Sequence, residues 1–153
     1  MKKLIDFITS VFVLFFTILV SYGQNYKQPH TKVDKVGKIT SHSGKFMGTI
    51  EKTGTLKNAE GKELATIDSK GDLIDSKTGK VIGHAPKNGS FVYFNHKGES
   101  ETLTLSDPMN GTCEIKDKDG KTVAVVHENY KQYGACAYHC AVMKKHGKAM
   151  KMK

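Results

Sequence analysis

Glycine recurs along this chain at a spacing that few architectures can use. Gly37, Gly54, Gly71, Gly89 and Gly111 each open a unit, at intervals of 17, 17, 18 and 22 residues, and Gly134 follows 23 residues later. Each unit carries a second glycine (Gly44, Gly61, Gly79, Gly98, Gly120), mostly preceded by turn formers and followed by Lys, as in Asn58-Ala59-Glu60-Gly61-Lys62. The residue two beyond each opening glycine is apolar: Ile39, Leu56, Leu73, Phe91 and Cys113. Six residues past the second glycine, Ile50, Ile67, Ala85 and Val126 take matching places, and the fourth unit is less regular there.

A unit of this length, split by a glycine turn, holds two strands of about 5–6 residues each. Asp-Gly and related pairs supply the positive φ that tight hairpin turns need. A single hairpin is marginal in water, so five of them must bury a shared apolar face. The unit is too short for a propeller blade of about 40 residues. A solenoid or a ring of hairpins remains, and closure removes exposed sheet edges, which favours the ring. The expected fold is mainly β: five tandem hairpins set radially as a shallow closed barrel over residues 36–133.

The flanks read differently. Met1-Lys2-Lys3, the apolar run Phe7–Val20 and the small residues Ser21 and Gly23 have the layout of a secretory leader over residues 1–23. The expected location is periplasmic or extracellular, with no membrane anchor after cleavage, since the apolar run falls short of the roughly 20 residues a span needs. Residues 24–35 show no periodicity and read as a linker. After Gly134 the chain turns to Ala135-Cys136-Ala137-Tyr138-His139-Cys140-Ala141-Val142-Met143, rich in small residues with good helix propensity. This predicts a helix over residues 134–145, packed on or in the barrel, and a basic tail over 146–153.

Five glycine-opened hairpins followed by a short Ala-rich helix, behind a leader, resemble the five-fold β-flower family of exported bacterial proteins. The resemblance covers roughly residues 36–143 and rests on repeat spacing. It implies a shallow, radially symmetric barrel with hairpin petals, and it implies no substrate and no site residues.

Charge narrows the function classes. All 24 basic residues are Lys, against 15 acidic ones. Lys144, Lys145, Lys148, Lys151 and Lys153 fall in the last ten residues without an acid among them. Specific phosphate or base recognition recruits the planar fork of Arg, so nucleic acid is not the expected partner. A lysine tail fits an anionic lipid or polysaccharide surface, or serves as a solubilising end.

For chemistry, Cys136, His139 and Cys140 lie at i, i+3 and i+4, one face of an α-helix, with Met143 and His146 downstream. Thiolate, imidazole and thioether donors suit copper or zinc, which makes soft-metal binding the alternative reading. Cys113, Cys136 and Cys140 are also the disulfide candidates: one bridge plus a free thiol, or three buried thiols, both satisfy the count. Asp117-Lys118-Asp119-Gly120 lacks the remaining ligands of a calcium loop and reads as a hairpin turn. No nucleophile elbow, phosphate loop or paired carboxylates are visible, so no cofactor and no catalytic residue is expected. The chain reads as a non-enzymatic, envelope-associated binding or structural module.

Overall fold

The computed structural model describes residues 31–87, 89–94 and 99–143. The expected leader, the linker up to residue 30 and the tail beyond residue 143 lie outside these. The described residues form eleven strands: β1 Thr31–Val33, β2 Lys38–Ser41, β3 Phe46–Ile50, β4 Thr55–Asn58, β5 Glu63–Ile67, β6 Asp72–Asp75, β7 Val81–His84, β8 Phe91–Phe94, β9 Ser100–Leu105, β10 Thr112–Lys116 and β11 Thr122–His127. A 3-10 turn at Glu128–Tyr130 leads to helix α1, Gly134–Tyr138, and a π-helical turn at His139–Met143. Every strand from β1 to β11 pairs antiparallel with its sequence neighbour, and β1 pairs in parallel with β11 to close the barrel. No helix among the described residues is long and apolar enough to cross a membrane.

One turn recurs around both rims, and its chemistry explains the glycine spacing. At Asp34, Asn58, Asp68 and Asp117 the backbone carbonyl accepts from the glycine three residues on, and the backbone N–H donates to the carbonyl four residues on. The same side chains accept from the amides two and four residues ahead, at 2.8–3.1 Å. An Asx side chain thus imitates a backbone turn, and glycine takes the left-handed position that ends it.

The apolar positions read from the repeat are inward. Ile39, Leu56, Leu73, Phe91 and Cys113 are buried, as are Ile50, Ile67, Ala85 and Val126. In four of the five hairpins a small residue faces a large one: Ile39 with Gly48, Leu56 with Ala65, Leu73 with Gly83, and Ile115 with Ala124. A register shift beside each of these pairs adds a residue to the second strand. Such bulges sharpen the bend of a strand, which a narrow closed barrel requires. At three of these sites the bulge residue, Met47, Ile82 or Val123, packs on the core.

The small residues make room for α1. Gly134, Ala135, Cys136 and Ala137 are all buried, and a helix has four consecutive residues buried only when it is enclosed on every side. Gly134 abuts Val126, where a β-carbon would lie within 2.9 Å of three of its side-chain atoms. The expected helix over residues 134–145 is α-helical from Gly134 to Tyr138 and continues as a wider π turn to Met143, and residues 144 and 145 lie outside the described residues. One sequence expectation changes here. Residues 31–33, expected as linker, are instead the strand that closes the barrel, with Thr31 and Val33 buried. A three-residue strand outside the repeat has no periodicity to reveal it.

Candidate functional site

The fourth hairpin breaks the repeat. Its strands β8 and β9 pair Phe91 with Leu103, Val92 with Thr102, Tyr93 with Glu101 and Phe94 with Ser100, without the register shift of the others. Counted from the second glycine, the places held elsewhere by an apolar bulge residue and a Gly or Ala carry Glu101 and Thr102. A carboxylate and a hydroxyl therefore stand where the other units carry an apolar bulge residue and a Gly or Ala, and Tyr93 stands where they carry Ser41, Asn58, Asp75 and Ile115.

A pocket of about 190 Å³ opens at this departure. Tyr93, Glu101, Thr102 and Leu103 of the fourth hairpin line it, together with Val123 of β11. The fifth hairpin's turn, Asp117-Lys118-Asp119, and Tyr138 at the end of α1 complete the described lining. The Tyr93 hydroxyl donates to Glu101 Oε2 at 2.6 Å. Asp117 Oδ1 accepts from the amides of Asp119 and Lys121, each at 3.0 Å, which fixes that carboxylate at the mouth. The Tyr93 ring lies 4.5 Å from the His139 ring and 5.8 Å from that of Phe91.

The two tyrosines of the lining are shifted in the same direction. Burial pushes the Tyr93 phenol well above the ordinary tyrosine range, and the hydrogen bond to Glu101 and its charge add to the shift. Tyr138 is raised too, first by burial and then by the charge of Asp117. Both phenols stay neutral at physiological pH. The described lining residues include Glu101, Asp117 and Asp119 as well as Lys118.

The residues singled out from the sequence lie elsewhere. Cys113 is buried on β10, and Cys136 and Cys140 are buried on α1 and the π turn; all three are free thiols. Burial raises Cys136 well above the usual thiol range, with the neighbouring Cys140 adding to it, and pushes Cys140 up to about 12. Metals bind the thiolate, which these environments disfavour. No three His, Cys, Asp or Glu side chains among the described residues gather as a metal group would. The expected single face of Cys136, His139 and Cys140 presumed α-helical spacing, whereas the π turn begins at His139 and the imidazole packs on Phe91 and Tyr93. The side chain of Met143, together with His146, Lys144, Lys145, Lys148, Lys151 and Lys153, lies outside the described residues.

Sequence reasoning passed over Tyr93, Glu101 and Tyr138. The only signal was the irregularity of the fourth unit, and their convergence with the Asp117 turn depends on which strands become neighbours. Residues 29–87 match a family described as a protein of unknown function (DUF3659), a stretch that runs from just before β1 to just past β7. No curated protein and no solved structure matches the chain.

Proposed function

We propose that this protein is an exported, non-enzymatic binding module: five hairpins set radially as petals around the C-terminal helix, in the β-flower manner. The observation that carries the reading is the burial of α1, whose residues Gly134–Ala137 are all buried. An interior filled by the chain's own helix leaves recognition to the rims and to whatever follows the helix. The leader-like residues 1–23 support export to the periplasm or beyond. Directly after the π turn come Lys144, Lys145, Lys148, Lys151 and Lys153, suited to an anionic lipid or polysaccharide surface. Each lysine near such a surface contributes about 1 kcal/mol, screened by salt.

Co-sedimentation with vesicles containing anionic lipid tests the reading, using the mature chain with and without residues 144–153. Salt-sensitive binding that disappears with the tail is the expected result. Equal, salt-insensitive sedimentation of both forms overturns the electrostatic contact. Copper or zinc binding through Cys136, His139, Cys140, Met143 and His146 gains no specific observation in its favour.

A further inference from the structure

We propose that the outer wall of the third and fourth hairpins, at its tip end, docks on an anionic bilayer. This rests on the reading that the lysine tail meets an anionic surface, and it names lipid as that surface and one side of the barrel as the face. Along other strands the outward positions are polar, as with Lys38 and Thr40 on β2, Thr55 and Lys57 on β4, and Thr112, Glu114 and Lys116 on β10. Across β6, β7 and β8 they turn apolar towards the tips. Ile74 pairs with Val81, and Phe94 stands one residue beyond Tyr93, the partner of Gly83 on β7. Val81 is 57% exposed and Phe94 66%. Exposed apolar side chains on adjoining strands mark an interaction surface.

The course of the chain brings the tail to the same end. Tyr130 lies against Gly37 and Lys131 against Gly89, at the end where one hairpin passes to the next. From there α1 runs from Gly134, beside Val126, to Tyr138, beside the Asp117-Lys118-Asp119 turn at the tip of the fifth hairpin. The π turn ends five residues later at Met143, and Lys144, Lys145, Lys148, Lys151 and Lys153 follow in the sequence.

Charge and apolar exposure are sorted together among the tips. The third tip, Ser76-Lys77-Thr78-Gly79-Lys80, carries two lysines and no carboxylate. Asp75 beneath it is buried and accepts from the amides of Lys77 and Thr78. The first tip, Ser41-His42-Ser43-Gly44-Lys45, also lacks a carboxylate, and Phe46 beside it is a further exposed apolar residue at this end, with Lys38 Nζ 5.7 Å from its ring centre. The second and fifth tips carry Glu60, Asp117 and Asp119, and no large apolar residue described there is exposed. Glu99, just before β9, is the exposed carboxylate of the fourth hairpin, and Lys77, Lys80 and the tail lysines outnumber it. At a bilayer, apolar side chains bury at the boundary of headgroups and acyl chains while lysines meet the phosphates. An anionic polysaccharide suits the lysines equally well but offers no acyl layer to Val81 and Phe94.

The chain has no tryptophan, so Phe94→Trp and Met109→Trp each give a single fluorescent reporter. Met109, 71% exposed between β9 and β10, marks the opposite end of the barrel. With phosphatidylglycerol vesicles whose acyl chains are brominated, emission of the mature Phe94→Trp protein should shift to the blue and be quenched. That of Met109→Trp should do neither. Val81→Ser combined with Phe94→Ser should weaken co-sedimentation with the vesicles about tenfold. Both sites are exposed, so the urea midpoint of that variant should hold. A native chain that sediments with vesicles while Phe94→Trp stays unquenched overturns the proposal and leaves the tail reading standing. Quenching that survives deletion of residues 144–153 upholds the proposal and removes the tail from the reading. A native chain that does not sediment with the vesicles overturns both for lipid. An oligomer dissociated by Phe94→Ser, or binding to alginate, in place of vesicle binding assigns the face to a second copy or to polysaccharide and overturns the proposal.

Discussion

Glycines that look alike in the sequence carry different constraints. Gly61, at a hairpin tip, has φ +77° and no atom within 4 Å of the place a β-carbon would take. Gly71, between two hairpins, has φ +90°, its carbonyl accepts from the Ala85 amide at 2.7 Å, and a β-carbon would overlap the Ala85 carbonyl. Gly61→Ala therefore costs only the left-handed backbone penalty, about 1–2 kcal/mol. Gly71→Ala adds a backbone collision and is expected to cost at least about 3 kcal/mol, the upper end of what one substitution ordinarily does. Urea denaturation of the two variants checks this, and equal midpoints would refute the distinction. The repeat made both positions legible as turns. It could not rank them, because the Ala85 carbonyl is 14 residues away in sequence and reaches Gly71 only when the next strand folds back.

Among the elements, α1 was legible in outline and the closing strand was not. The run of Ala and Cys after Gly134 signalled a helix in a confined space, and Ala135, Cys136 and Ala137 are fully buried. The change to π geometry at His139 was not legible, and there the imidazole packs against Phe91 and Tyr93, residues more than 40 positions earlier in the chain. Strand β1 depends wholly on its neighbours β2 and β11. The pocket shared this fate: the fourth unit was visibly irregular, but neither Tyr93 nor Glu101 was singled out, and their meeting with Tyr138 depends on where the buried helix packs. A helix so enclosed has no room to grow. Ala137→Leu is expected to destabilise the protein by about 1–3 kcal/mol through overpacking, despite the better apolar content of leucine. The same exchange at the exposed Ala59 of a hairpin tip should stay within about 0.5 kcal/mol. Thermal or urea midpoints for the pair measure the difference, and a neutral Ala137→Leu would show that the helix is not confined.

At the scale of the whole molecule, the buried acids that the fold keeps protonated make stability depend on alkaline pH. In the unfolded chain, thiols ionise above about pH 8.5 and phenols above about pH 10. In the folded barrel Cys136 and Cys140 are raised by burial, Cys140 to about 12, and Cys113, Tyr93 and Tyr138 are raised as well. Between the two ranges the unfolded state binds fewer protons than the native state, so the unfolding free energy falls as pH rises. The contribution is fully present below about pH 8.5 and is withdrawn above it, first through the thiols and then through the phenols. Each group still protonated in the fold adds a slope of about 1.4 kcal/mol per pH unit. The expected record is a urea midpoint unaffected by these groups up to about pH 8, falling steeply by about pH 10. Cys140→Ala should remove one thiol's share of that slope while leaving the phenol limb in place. A midpoint that stays level from about pH 8 to about pH 10 in the native sequence would mean that the thiols are open to water, and with them α1 and the π turn that carry Cys136 and Cys140.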